Sequence, residues 1–315
     1  MQIAPDAQVI LDMVKAAGRP AFHTITPQEA RVFYAAGRTL LQPEPQDVAE
    51  VKNLSAPGPH GDIPLRFYRG KNTQPEQALP CLIYYHGGGW VLGDLDSHDT
   101  VCRRLANQTD GCVVSVDYRM APEHVFPAAV DDSAAAVRYV AAQAGALGID
   151  ASRLAVGGDS AGGNLAAVMA LMARDGTLPR IVFQLLIYPA TDLAGTSNAY
   201  RRITEGYPLT ASTMVWFRNL YLRNEADWYD WRASPLRAAS LKGTAPAMVI
   251  TCAHDPLSDE GIAYAKRLEQ ESVRVMHTHF SDQIHGFLTM GKFIKASNIA
   301  HDLSSQALRA AWGQE

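Results

Sequence analysis

Apolar positions recur along this chain with two different periods, and the change from one to the other divides it. Val9, Ile10, Met13, Val14 and Ala17 fall at helical spacing, and Gly18 can end the run. Thr26-Pro27-Gln28-Glu29 carries a capping-box pattern with proline at the first helical position. Val32, Phe33, Ala36 and Leu40 then form one apolar face, and Gln42-Pro43-Glu44-Pro45 breaks it. After residue 47 the period becomes two, with Ile63, Leu65 and Phe67 alternating as in a strand. Residues 81–85 are continuously apolar, as expected of a strand covered on both faces.

The alternation of strand and helix then repeats. Strands are predicted at 112–116, 154–157, 181–188, 247–252 and 273–280, and helices at 127–144, 160–174, 259–271 and 293–312. This order predicts an α/β protein with a largely parallel, doubly wound sheet. Residues 191–241 interrupt it. They are rich in large rings: Tyr200, Tyr207, Trp216, Phe217, Tyr221, Trp228, Tyr229 and Trp231. A stretch that long within a compact fold points to a substructure with its own task, such as a lid. No internal repeat is present.

Composition narrows the function classes. The chain has 315 residues and a net charge of −4, so it offers no electrostatic footprint for nucleic acid. Its first residues lack a basic n-region, and no run is long and apolar enough to span a bilayer, so neither a signal peptide nor a membrane partner is expected. Cys81, Cys102, Cys112 and Cys252 are scattered and read as buried free thiols of a cytoplasmic protein. No Cys or His spacing suggests a metal, and no cofactor is expected.

The candidate chemistry lies in two motifs. Gly158-Asp159-Ser160-Ala161-Gly162 is a G-x-S-x-G nucleophile elbow, and His86-Gly87-Gly88-Gly89-Trp90 is a glycine run able to offer backbone N–H groups to an oxyanion. A bare G-x-S-x-G arises by chance in roughly one chain of this length in ten. Here an apolar strand runs into it and a helix leaves it, which is the context the elbow needs. Serine also needs a base, and the base an orienting acid. On an α/β-hydrolase sheet these follow in the order Ser, acid, His.

Among the later histidines, His277 and His279 alternate on a strand, His301 lies in a helix and His254 precedes the acid. His285 stands on a polar stretch between the last strand and the last helix, and is the candidate base. Of Asp192, Asp227, Asp230, Asp255, Asp259 and Asp282, the candidate acid is Asp255, which immediately follows the strand Met248-Val249-Ile250-Thr251-Cys252, at the carboxyl end where open α/β sheets build their sites. Asp259 is read as capping or beginning the next helix, Asp282 as too close to His285, and Asp159 as a tether for neighbouring backbone.

With these motifs in order, the chain resembles the hormone-sensitive-lipase-like bacterial esterases. The likeness rests on His86 to Trp90, Asp117-Tyr118-Arg119-Met120-Ala121-Pro122-Glu123-His124, Gly158 to Leu165, and Asp255-Pro256-Leu257 followed by Ile284-His285-Gly286-Phe287. It covers roughly residues 48 to 312. The resemblance implies an α/β-hydrolase fold, with helices on both faces of a mostly parallel sheet. The core would span 48–190 and 242–315, and a helical cap would be built from 1–47 and 191–241.

It further implies Ser160 as nucleophile, Asp255 as acid and His285 as base, with Gly88, Gly89 and Ala161 as oxyanion-hole donors. The substrate would be a small short- to medium-chain carboxylic ester, and a homodimer is compatible with it. Ser258, where the family often has arginine, and His254 and Cys252 beside the acid are departures. Amide, lactone or formamide hydrolysis on the same triad is the alternative. A non-catalytic ligand-binding module is a further one, disfavoured because His285 is present.

Overall fold

The computed structural model describes residues 2–314, apart from the Arg38 side chain. Helix α1 (Pro5–Ala17) ends on Gly18, whose φ of 59° is a left-handed cap. Helix α2 (Pro27–Leu41) opens on the expected capping box: Thr26 N–H donates to Glu29 Oε2 at 2.9 Å, and Glu29 N–H donates to Thr26 Oγ1 at 3.3 Å. An antiparallel pair follows, β1 (Glu50–Gly58) and β2 (Gly61–Arg69).

Strand–helix alternation takes over from there. The elements are β3 (Leu79–Tyr85), α3 (Asp99–Thr109), β4 (Cys112–Val116), α4 (Ala128–Ala142), β5 (Ile149–Asp159), α5 (Ala161–Arg174) and β6 (Phe183–Ile187). Beyond β6 come the short α6 (Asn198–Arg202) and α7 (Ala211–Tyr221). The last four are β7 (Ala247–His254), α8 (Ser258–Gln270), β8 (Val275–Ile284) and α9 (Lys295–Ala311).

The strands form one eight-stranded sheet in the order β1-β2-β4-β3-β5-β6-β7-β8. The β4–β3–β5–β6–β7–β8 portion is parallel throughout, and the antiparallel pairings are β1 with β2 and β2 with β4. Every residue of β3, β4 and β6 is buried, as the continuous apolar runs predict. Side chains of β3 alternate between two cores. Cys81, Ile83 and Tyr85 face the layer of α4, α5 and α8, whereas Leu82 and Tyr84 face α1, α3 and α9.

Outside the 191–241 stretch, one strand and one α-helix escaped the sequence reading. Strand β1 is an edge strand with only Ala56 buried, so it shows no apolar alternation. Helix α3 did carry a signal: Val101, Cys102, Leu105, Ala106 and Thr109 are its buried face. Strand β8 also runs further than expected, to Ile284, so His285 stands directly at a strand's end rather than within a loop. The 191–241 stretch holds α6, α7 and two 3-10 turns, and its rings divide. Phe217 and Tyr221 are buried, whereas Tyr229 is 50% exposed.

Candidate active site

Four parallel strands end at one place. Strand β5 delivers Ser160, β7 delivers Asp255, β8 delivers His285, and β3 runs into the glycine loop, all at their carboxyl ends. The turn from β5 to α5 is tight. Ser160 has φ 56°, ψ −118°, and its N–H donates to Ile187 O at 2.8 Å. A non-glycine residue in that region is strained and persists only where its surroundings hold it. The glycines around it are spatial necessities. A Cβ on Gly158 would lie 2.4 Å from Tyr85 O, and one on Gly162 1.8 Å from the same oxygen.

Ser160, His285 and Asp255 form one hydrogen-bonded chain. Ser160 Oγ lies 2.9 Å from His285 Nε2, and His285 Nδ1 lies 2.7 Å from Asp255 Oδ2. Asp255 is fully buried, and its other oxygen accepts from Leu257 N–H at 2.8 Å. A buried carboxylate on Nδ1 leaves Nε2 free to accept the serine proton. The other acids are engaged elsewhere. Asp192 pairs with Arg237, Asp230 with Arg232, and Asp259 stands in the first turn of α8 and accepts from Ala199 N–H at the start of α6. His277 and His279 both contact Thr251 Oγ1 on β7, and His301 is buried in α9.

The glycine loop lies opposite. Gly88 and Gly89 have φ of 123° and 63°, and Trp90 is at 60°. Among the described residues, neither the Gly88 nor the Gly89 N–H donates to any group of the protein. Ala161 opens α5, so its N–H also has no intrahelical acceptor. Gly88, Gly89, Ser160 and His285 border a cavity of about 210 Å³. Phe22, Phe33 and Tyr34 close it from the N-terminal side, and Leu209 and Phe217 from the 191–241 stretch.

A buried polar network supports the loop from behind. Asp159 Oδ1 accepts from Tyr84 OH at 2.8 Å and Gly87 N–H at 3.1 Å, and lies 3.0 Å from His98 Nε2. Burial opposes its charge, but His98 and the Tyr84 hydroxyl outweigh burial and hold the carboxyl below the usual carboxylate range. This is the backbone tether expected of Asp159. His86 Nδ1 lies 2.8 Å from Gly87 O, and its ring stacks on Tyr118 at 4.4 Å. Burial, helped by nearby His98, pushes His86 down to about 4, so it stays neutral and braces the loop.

Several supporting residues had no role legible in the sequence, where Cys252 stood out only as a departure beside Asp255. Cys252 Sγ lies 3.5 Å from Asp255 Oδ2, and burial pushes the thiol up so that it remains a donor to the acid. Glu260, fully buried and raised by burial, accepts from Thr191 and Asp192 N–H and fixes the start of the 191–241 stretch. Tyr188 has a left-handed φ of 35°, and its ring packs on His285 with centroids 4.6 Å apart. Only its place directly after β6 could have hinted at this.

Known proteins resemble the chain closely. A family described as alpha/beta hydrolase fold matches residues 82–289. The carboxylic ester hydrolase LipN of Mycobacterium tuberculosis is 43% identical over 85% of this chain and 72% of its own. The ethyl acetate hydrolase of Pseudomonas putida is 39% identical over 95% of this chain and 96% of its own. A solved alpha/beta hydrolase enzyme from the metagenome of Lake Arreo, Spain, superposes with a TM-score of 0.95 at 41% identity, covering 99% of both chains.

Proposed function

The chain belongs to the alpha/beta hydrolase fold family, among its hormone-sensitive-lipase-like esterases, and on that premise we propose that Ser160, His285 and Asp255 are its catalytic triad. The protein is a serine carboxylic ester hydrolase acting on small-molecule esters. In this assignment His285 takes the Ser160 proton as Oγ attacks the ester carbonyl. The N–H groups of Gly88, Gly89 and Ala161 hold the tetrahedral oxyanion. His285 then protonates the departing alcohol. Water, activated by the same imidazole, attacks the acyl-serine, the carboxylic acid leaves and Ser160 recovers its proton.

One observation carries the assignment: an unbroken Ser160–His285–Asp255 chain with contacts of 2.9 and 2.7 Å, facing two loop N–H groups without protein acceptors. We propose short- to medium-chain esters as substrates, because aromatic rings close a cavity of about 210 Å³. The catalytic core would comprise 48–190 and 242–315, and 1–47 with 191–241 the cap above it. Four buried cysteines without disulfides favour a reducing compartment, so a cytoplasmic location is part of the same proposal. No helix among the described residues is long and apolar enough to cross a membrane.

Hydrolysis of p-nitrophenyl acetate, butyrate, octanoate and palmitate by the native protein and Ser160→Ala tests the whole assignment. A Ser160-dependent rate that is greatest at the shorter chains is expected. A rate that survives Ser160→Ala removes Ser160 as nucleophile. A maximum at palmitate refutes the chain-length proposal alone.

A further inference from the structure

Three consecutive residues of the glycine loop are gripped from outside the sheet. Gly89 lies against Phe217, and a Cβ there would come within 2.3 Å of Phe217 Cγ. Trp90 stacks on Tyr221 with centroids 4.6 Å apart and planes 1° apart. Val91 O accepts from Arg31 Nε at 2.9 Å. The same guanidinium donates to Ala121 O at 2.9 Å and grips both oxygens of Glu123, at 2.8 and 2.7 Å. Ala121 N–H in turn donates to Trp90 O at 2.8 Å. Phe217 and Tyr221 stand one turn apart on α7, and Arg31 lies on α2.

The backbone held this way is strained, with left-handed φ at Gly88, Gly89 and Trp90. A bulky side chain in that region persists only where its surroundings over-determine it. The inner side of the loop is tied by Asp159 at Gly87. Its outer side, from Gly89 to Val91, is tied by residues of α2 and α7.

We infer that α2 and α7 do more than cover the cavity: through Arg31 and Tyr221 they hold the loop in its oxyanion-binding conformation. The inference rests on Gly88 and Gly89 being oxyanion donors. Arg31 and Tyr221 are positioning residues, since neither lines the catalytic cavity. Charge stabilisation is then complete only while both segments are docked. A substrate that props either segment away loses turnover as well as affinity, which couples chain-length preference to kcat.

The test uses Tyr221→Leu, Tyr221→Phe and Arg31→Ala in the full-length protein. Two readouts are needed: kcat and KM for p-nitrophenyl butyrate, and the affinity of a trifluoromethyl ketone. That ketone adds to a serine Oγ to form a tetrahedral oxyanion. Tyr221→Leu and Arg31→Ala should lower kcat roughly tenfold and weaken the ketone by a similar factor, with KM changed less than about twofold. Tyr221→Phe keeps the ring and should match the native protein.

A raised KM with kcat and ketone affinity unchanged would overturn the inference and leave the segments as a lid. Equal losses in Tyr221→Phe and Tyr221→Leu would overturn the role given to the ring. Arg31 is half-exposed, so Arg31→Ala decides alone should Tyr221→Leu not fold. Ketone binding that is unaffected by Ser160→Ala would instead bring down the assignment of the site itself.

Discussion

Gly162→Ala is the smallest change that should disable this protein. Gly162 has no left-handed φ, so alanine meets no backbone strain there, and the effect is purely one of space. An added Cβ would lie 1.8 Å from Tyr85 O, 2.5 Å from Tyr85 C and 2.8 Å from His86 O. All three are backbone atoms, so no side chain can swing aside. Ordinary contact is well over an ångström longer, and α5 and the end of β3 must part by that much. Overpacking in a closed core costs up to about 3 kcal/mol, and this is a severe instance.

The catalytic consequence is larger than the loss of stability. Tyr85 leads directly into His86 and the glycine loop, while Gly162 follows Ser160 by two residues. Parting them separates the proposed nucleophile from the proposed oxyanion donors, and a displacement near 1 Å costs about a hundredfold in rate. Turnover of p-nitrophenyl butyrate and urea unfolding measure the two effects. Gly145→Ala is the control, because a Cβ there meets nothing within 4 Å. It should change neither quantity. A Gly162→Ala protein with native turnover and native stability would refute this account of the elbow.

Other outcomes follow from the same geometry. Ser160→Ala should lower kcat about a millionfold, and no acyl-enzyme should be trapped by mass spectrometry. Asp255→Asn should lower kcat about ten-thousandfold, since the amide favours the wrong tautomer of His285, while the circular dichroism spectrum stays native. Asp159→Ala strands the buried His98, Tyr84 and Gly87 N–H without their partner and should cost about 3–5 kcal/mol in urea unfolding.

Burial holds His86 at about 4 and, with help from Arg104, His301 at about 3, against about 6.5 in an unfolded chain. Below pH 6.5 the unfolded chain takes up protons that the native state refuses. Stability should therefore be full above about 6.5, fall as pH drops, and level off near 4 for His86 and 3 for His301. His301→Leu should flatten that slope between pH 7.5 and 4. An unchanged slope counts against the buried neutral state.

The extent to which each feature was legible follows from how local its cause is. The capping box at Thr26 and Glu29, the buried runs of β3, β4 and β6, and the strand–turn–helix around Ser160 each arise from residues a few positions apart. Periodicity therefore records them. Strand β1 has one buried residue and left no such record. Asp259 lies in the first turn of α8, as its position suggests, but the hydrogen bond its carboxylate accepts from Ala199 N–H, 60 residues away, left no local record.

The sequence by itself determined the class of chemistry and singled out the candidate actors. Serine requires a base and an acid, the sheet places them at strand ends, and few residues met those conditions. Only the tertiary structure decided how the machinery is held. His285 reaches Ser160 across 125 residues of chain, and Arg31 grips Glu123 across 92. Cys252 donates to Asp255, Tyr188 packs on His285, and Tyr221 stacks on Trp90 of the glycine loop. Such contacts join elements whose packing is settled by burying both faces of the sheet at once, and no local pattern of side chains encodes which atoms then meet.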